Sequence, residues 1–325
     1  MSTARAVVVT EPGDTSVLEV LEREVPEPAP GEVQVELAAA GVNFYDVYVR
    51  QGVYPTPTPF VLGNEGSGTV VAVGAGVDDV AVGDRVAWGQ SGSSQATLVN
   101  VPAGKVVPVP DGVDLVDAAA AMLQGLTAHY LVTSTYPVRE GDVALVHAAA
   151  GGVGQLLVQM IRNRGGIVVA TAGSEEKLAI ARGRGARHTI NYREVDDLVA
   201  AIREAAGGGV HVAYDGVGKD TFDASLASLR RRGMLVLFGG ASGQVPPFDL
   251  QRLNSAGSVY VTRPSLAHYV EERDEFLSRS AELFEWIHTG AVELSIGGRF
   301  PFARAAEAYD ALEGRRTTGK LVLVP

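Results

Sequence analysis

The chain contains no cysteine, which excludes disulfides, thiolate nucleophiles and cysteine-ligated metal centres and leaves the redox compartment unreadable from thiol chemistry. Positive charge is scarce as well. Against 38 Asp and Glu stand 27 Lys and Arg, for a net charge of −11. Such a surface repels a phosphate backbone, so nucleic acid is not an expected partner. The six histidines, His129, His147, His188, His211, His268 and His288, show no H-E-x-x-H spacing and point to no metal centre. The N-terminus, MSTARAVVV, lacks the long apolar core of a signal peptide. No later apolar stretch is read as reaching the roughly 18 residues that span a bilayer. A soluble, cytoplasmic protein without a membrane partner is the expectation. What remains is ordinary globular composition, 46% hydrophobic and 20% charged over 325 residues, a length that predicts two domains.

The most informative stretch is VALVHAAAGGVGQLLVQMI, Val143 to Ile161. A β-branched apolar run meets small residues and glycines, then an apolar helical pattern at Leu156, Leu157, Met160 and Ile161: a strand, a tight turn and a helix. Gly151, Gly152 and Gly154 let backbone amides approach a pyrophosphate, and the helix N-terminus adds unpaired N–H groups and a positive dipole end. The match is the variant A-x-G-x-x-G, with Ala149 where the full fingerprint has glycine. Strand and helix signals then alternate: Ile167–Thr171, a helix from about Glu175, Thr189–Asn191, a helix from about Val195, Val210–Asp215, a helix from about Thr221, Met234–Gly239, and a strand near Ser258–Thr262. Repeated βα units predict a parallel, doubly wound sheet with its ligand crevice at the carboxyl ends of the strands.

The second strand's end selects the cofactor. A site for NAD carries Asp or Glu about 20 residues beyond the fingerprint, on the ribose 2′-hydroxyl. Here the strand ends in small uncharged residues, Ala172, Gly173 and Ser174, while Glu175 and Glu176 fall in a first helical turn that favours them. Lys177 supplies positive charge, and Tyr192 with Arg193 follows the next strand. NADPH is preferred over NADH.

Ahead of this region, short β-branched runs (Ala6–Thr10, Glu32–Leu37, Gly68–Val73, Arg85–Trp88, Ala96–Asn100) alternate with Gly/Pro clusters, the cadence of a compact β-barrel or sandwich. Between them GVNFYDVYVRQGVYP, Gly41 to Pro55, brings Asn43, Tyr48 and Tyr54 into a partly apolar stretch suited to a cleft wall. VLGNEGSGTVVAVGAGV, from Val61, with GDRV from Gly83, resembles the medium-chain dehydrogenase/reductase superfamily. Its zinc alcohol dehydrogenases carry Gly-His-Glu where this chain has Gly63-Asn64-Glu65. An amide is a poor zinc ligand, and without cysteine the other ligands are missing; no metal is expected. Without a Lewis acid to stabilise an alkoxide, an electron-poor acceptor such as a quinone or conjugated carbonyl is the natural substrate.

GVNFYDVYVRQGVYP, QGLTA, HAAAGGVG, INYRE, YDGVG, GMLVLFGGASG and YVTRPSL, in this order over essentially the whole chain, resemble the zinc-independent quinone oxidoreductase (zeta-crystallin-like) family. The resemblance implies an α/β fold in two domains: a GroES-like, β-barrel-type catalytic domain (1–124 and 264–325) and a doubly wound Rossmann cofactor domain (125–263). It places Asn43 and Tyr48 on the nicotinamide side, with Gln124 and Thr127 of QGLTA. Ala150, Gly151, Gly152 and Val153 hold the pyrophosphate, and Gly173, Ser174, Lys177 and Tyr192 the adenosine 2′-phosphate. Val217, Phe238, Gly239, Gly240, Ala241, Ser242, Val261, Thr262 and Arg263 close over the cofactor. Close bacterial members have lysine at Gln124. Pairing of strands near Tyr260 implies a homodimer.

The last segment predicts two amphipathic helices, Glu271–Thr289 and Ala303–Leu312, and a closing strand LVLVP. Taken together these readings predict hydride transfer from NADPH to a small-molecule quinone or conjugated carbonyl in a metal-free cleft, with Tyr48 and Tyr54 as proton donors or orienting groups. The alternatives are an NADPH-dependent enone or alkenal reductase, and a non-catalytic NADPH-binding structural or sensory protein.

Overall fold

The computed structural model describes residues 2–314 and 316–325. The chain opens with β1 (Ser2–Val9), β2 (Leu18–Val25), β3 (Glu32–Val42), α1 (Phe44–Arg50), β4 (Phe60–Val61), β5 (Glu65–Val73), β6 (Arg85–Gly89), β7 (Leu98–Pro102) and β8 (Val106–Pro108), then α2 (Leu115–Tyr130). Alternation follows: β9 (Val143–Val146), α3 (Gly152–Asn163), β10 (Ile167–Ala172), α4 (Glu175–Arg184), β11 (His188–Asn191), α5 (Leu198–Ala205), β12 (Val210–Asp215), α6 (Phe222–Ser228), β13 (Leu229–Leu237), α7 (Gln251–Ser255) and β14 (Tyr260–Thr262). The chain closes with α8 (Arg273–His288), β15 (Ile296–Pro301), α9 (Ala305–Glu313) and β16 (Lys320–Val324).

Two compact units emerge. One comprises Met1–Leu126, Glu272–Gly290 and Leu294–Pro325, the other Thr127–Glu271 and Ala291–Glu293. The boundaries expected from sequence, after 124 and after 263, differ from these by two and eight residues, because α2 runs through the first boundary and residues 264–271 stay with the second unit.

In the first unit a seven-stranded sheet runs β15-β16-β3-β5-β6-β8, with β7 also paired to β3, beside a three-stranded sheet β2-β1-β4. On β3 the alternate residues Val33, Val35 and Leu37 enter a core shared with Val7, Val9, Trp88, Phe302 and Leu323, as a period-two pattern with one buried face requires. The stretch after Gly41 folds differently from the short strands around it: residues 44–50 form a helix whose Asp46 carboxylate accepts the Asn43 backbone N–H at 2.9 Å. That bond satisfies a donor at the helix entrance.

The second unit is a six-stranded parallel sheet of order β11-β10-β9-β12-β13-β14. Strand order reverses at β9, which makes its carboxyl edge the crevice of a doubly wound fold. Its core gathers Leu145, Val169, Ala213, Leu226 and Leu235. Residues Leu115–Thr135 correct one expectation: they form a continuous helix long and apolar enough, by length and composition, to cross a membrane. Small alanines had masked its length in the sequence, and most of it is buried inside the protein.

Gly41 lies one register step beyond the Ala40–Gly66 pair of β3 and β5, opposite Glu65. A Cβ at Gly41 would come within 1.9 Å of Glu65 Oε1. Gly41→Ala therefore lowers stability by about 1–3 kcal/mol, the range for overpacking a closed core, measured by urea unfolding; an unchanged midpoint would show that Glu65 relaxes without cost.

Candidate active site

In the second unit, the positions singled out by sequence follow the carboxyl ends of successive parallel strands: 150–153 after β9, 173–177 after β10, Tyr192 after β11, Val217 after β12, 238–242 after β13, and 261–263 at β14 and just beyond it. Thr127 is buried at the start of this unit. The turn after β9 is tight. Ala148 adopts a left-handed φ of 49°, and a Cβ at Gly154 would lie 2.4 Å from the Ala148 carbonyl oxygen and 2.8 Å from the Ala149 Cα. Gly154 thus permits the helix to approach the strand closely. Gln155 secures the turn, donating its side-chain amide to the Ala150 oxygen at 2.9 Å, while Gly151 caps α3 in extended conformation. Gly151, Gly152 and Val153 remain partly accessible. A helix N-terminus framed by closely approachable backbone suits a pyrophosphate.

At the end of β10, Gly173 faces Tyr192. A Cβ at 173 would stand 2.5 Å from the Tyr192 hydroxyl and 3.2 Å from Arg193 Nε, so only glycine leaves room for this aromatic and cationic cradle. Ser174 caps α4, accepting the Lys177 N–H at 3.4 Å. Glu175 is drawn away by an ion pair with Arg182.

The loops after β12 and β13 are laced together. Ser242 Oγ donates to the Val217 oxygen at 2.8 Å and accepts the Asp220 N–H at 3.0 Å, and the Ala241 N–H donates to the Gly216 oxygen at 3.2 Å. Asp215 anchors the first loop by accepting the N–H groups of Val217 and Gly218 at 2.9 and 3.0 Å. Behind it lies a buried chain that the sequence reading had not identified: Ser225 donates to Asp215 at 2.8 Å, His147 Nε2 meets Ser225 at 3.0 Å, and His147 Nδ1 meets Thr171 at 2.7 Å. Ser225 spends its only hydrogen on Asp215, so His147 donates from Nε2 and accepts from Thr171 at Nδ1. Burial depresses the His147 pKa, against the opposing pull of Asp215, which keeps this ring neutral.

In the first unit, Asn43 caps the start of α1 with Gln124 bonded to it, Tyr48 lies in the last turn of the helix, and Tyr54 follows it. Asn43 is buried. Its Nδ2 donates to Glu65 Oε1 at 2.6 Å, and its Oδ1 accepts from Lys320 Nζ at 2.7 Å and from Gln124 Nε2 at 3.4 Å. Lys320 and Glu65 also form a direct ion pair, both almost fully buried, and Glu65 Oε2 accepts the Leu123 N–H. The tyrosines sit further out, Tyr54 at 42% exposure with its ring edge-on to Tyr48 at 5.9 Å. Lys320 was the least legible member of this group. A lysine opening a strand of LVLV is the available signal, and its partner lies 255 residues away in sequence.

The donor set does not fit zinc. Among the described residues no group of three or more His, Asp or Glu is placed to hold a metal ion. Glu65, beside Asn64, already serves an ammonium and an amide, and Asn64 offers only a weak carboxamide ligand.

Family models match at two places: residues 29–111 fit "Alcohol dehydrogenase GroES-like domain" and residues 152–279 fit "Zinc-binding dehydrogenase". A quinone oxidoreductase from Salmonella typhimurium is 43% identical over 96% of this chain and 97% of its own length. A mycobacterial protein solved with NADPH superposes with a TM-score of 0.96 at 47% identity, covering 99% of this chain and 100% of that one. The Escherichia coli quinone oxidoreductase complexed with NADPH gives 0.95 at 40% identity, covering 100% of both.

Asp46 has an unusual proton affinity. Burial raises its pKa to about 7, against hydrogen bonds from Asn43 and Tyr309 and the charge of Lys320 that lower it; Glu65 adds to the rise. Between the ordinary carboxyl pKa of about 4 and about 7, the folded state binds more protons at Asp46 than the unfolded chain does. Stability contributed by this group is therefore fully present below about pH 4 and falls as pH rises, by up to ~1.4 kcal/mol per pH unit. Asp46→Asn removes that slope. Urea unfolding of both proteins from pH 5 to pH 8 checks it, and parallel stability curves would exclude a raised Asp46 pKa.

Proposed function

The chain belongs to the zinc-independent quinone oxidoreductase family of the medium-chain dehydrogenase/reductase superfamily, and from that premise we propose that it is an NADPH-dependent quinone oxidoreductase working without a metal. Bound NADPH supplies a hydride; the protein's task is to bind, orient and exclude water, which lowers the barrier through proximity. The observation that carries the cofactor choice is the end of β10. Gly173 leaves room for the Tyr192 hydroxyl and Arg193, Ser174 and Lys177 open the following helix, and Glu175, the first carboxylate after the strand, is engaged by Arg182. A 2′-phosphate meets hydroxyl and cationic groups there, whereas the strand itself ends on Ala172, Gly173 and Ser174 with no carboxylate in the position that serves a ribose 2′-hydroxyl.

Ala150 to Val153 hold the pyrophosphate in this reading, while Val217, Phe238 to Ser242 and Val261 to Arg263 close over the cofactor. Asn43, Tyr48, Gln124 and Thr127 complete the cofactor contacts, and Tyr48 and Tyr54 orient the acceptor. A hydroquinone anion can take its proton from solvent, so an obligatory protein acid is not required even where Tyr48 or Tyr54 donates. The same reading includes a cytoplasmic homodimer. Support for the dimer comes from β14, an edge strand whose Tyr260 is 57% exposed, an open edge of the kind that invites pairing.

Initial rates with NADPH and NADH against 1,4-benzoquinone, 9,10-phenanthrenequinone and a simple enone, after exhaustive chelation, test the assignment. The expected result is chelator-resistant turnover, selective for NADPH and fastest with a quinone. Loss of activity on chelation would overturn the metal-free site, and equal use of NADH would overturn the cofactor choice. Lys177→Ala raises the KM for NADPH roughly tenfold, the order of one charged contact, with little effect on NADH. Tyr48→Phe retaining full turnover and an unchanged pH profile would remove Tyr48 from proton transfer.

A further inference from the structure

The Asn43 carboxamide has two acceptor lone pairs and two N–H donors. Both lone pairs are taken, by Lys320 at 2.7 Å and Gln124 at 3.4 Å, and one N–H is given to Glu65 at 2.6 Å. The other N–H makes no hydrogen bond among the described residues. Turning the amide over would place its NH2 against the Lys320 ammonium and its oxygen against the Glu65 carboxylate, two like-polarity contacts in a buried site. The backbone is held too, since the Asn43 N–H donates to Asp46. Register reinforces the arrangement. Leu321 pairs with Val42, which sets Lys320 opposite Asn43, and Glu65 stands opposite Gly41 two residues before it, on the same face of the strand.

We propose that Lys320 and Glu65 are positioning residues that fix Asn43 as a hydrogen-bond donor, so that its remaining N–H meets a carbonyl oxygen, that of the nicotinamide carboxamide or that of the quinone. The inference rests on the reading of Asn43 as a nicotinamide-side residue. It makes the pair act on the reaction only through the amide between them, which a purely structural ion pair would not do. Polarity follows as well: Asn43 recognises an acceptor oxygen and rejects a ligand N–H or O–H presented at the same place.

The test is a double-mutant cycle of Lys320→Met and Asn43→Ala, with Lys320→Arg as the conservative variant. Each protein is read by quinone turnover, by NADPH affinity from fluorescence titration, and, in cofactor-free protein, by the side-chain amide resonances of selectively labelled asparagine. Lys320→Met is expected to cost about tenfold to a hundredfold, the scale for a misplaced positioning group, and to cost nothing further when Asn43 is already alanine. Lys320→Arg recovers part of the loss, and the Asn43 amide signals lose their protection from exchange in Lys320→Met. A loss in NADPH affinity assigns the contact to the nicotinamide carboxamide; a loss confined to kcat/KM for the quinone assigns it to the acceptor. If Lys320→Met does not fold, the neutral pair Glu65→Gln with Lys320→Met replaces it in the cycle. Losses that multiply in the double variant, or turnover and amide signals unchanged by Lys320→Met, overturn the inference alone. A wild-type protein that binds NADPH but reduces no acceptor overturns the assigned activity and this inference with it.

Discussion

A charged group taken out of water must find its countercharge inside the protein, and this requirement shapes the first unit around Lys320 and Glu65. Both are almost fully buried, at a desolvation cost of several kcal/mol per ion that a bare ion pair does not reliably recover. The surroundings supply what the pair alone lacks: the Asn43 carboxamide bonded to both ions, and the Leu123 N–H on the second carboxylate oxygen. Four segments far apart in the chain are thereby fixed to each other: the end of β3, the start of β5, the middle of α2 and the start of β16. Gly41 follows from the same constraint, since its missing side chain is the space Glu65 occupies. The last strand is thus part of the machinery that orients Asn43, although it lies almost at the end of the chain.

The second unit solves a similar problem without a buried cation. Asp215 at the end of β12 satisfies the loop that follows with two backbone N–H bonds and ties it through Ser225, His147 and Thr171 to the ends of β9 and β10. Three strand ends at the crevice edge are held in one hydrogen-bonded network, with a neutral imidazole in the middle. A loop that must receive a ligand benefits from this arrangement, because its geometry is set before binding and little ordering entropy remains to be lost. Among the described residues neither network gathers the ligands of the metal that the dehydrogenase family model takes its description from; Glu65, next to Asn64 in the chain, is committed to Lys320.

Periodicity and glycine chemistry made most of the second unit legible. The run from Val143 to Ile161 names its own strand, turn and helix, because a glycine such as Gly154 is needed wherever a Cβ would strike the preceding turn. The end of β10 was readable too, from the small uncharged run that closes on Ser174, the cap of α4. Legibility fell where local signals conflict. The stretch from Phe44 to Arg50, which the sequence reading gave no element, mixes aromatic and β-branched residues that favour strands, yet tertiary packing and the Asp46 cap make it a helix. The alanines of α2 hid a helix of membrane-spanning length, and the unit boundaries could not be placed to the residue because α2 continues through one of them.

The sequence by itself determined the parallel sheet, the tight glycine turn after β9, the absence of thiol ligands and the uncharged end of the second strand, since each depends on residue types within one turn or strand of each other. Only the tertiary structure decided which polar side chains are buried, and with what partners. Lys320 is unremarkable in its local window and the motifs that single out Asn43 and Glu65 say nothing of their pairing; equally silent are Asp46 and Tyr309, whose hydroxyl reaches the Asp46 carboxylate at 3.0 Å across 263 residues of sequence. Burial is a property of the whole packed core, and the proton affinity of Asp46 and the fixed polarity of Asn43 both arise from it, since desolvation and long-range pairing have no signature in a chain read one segment at a time.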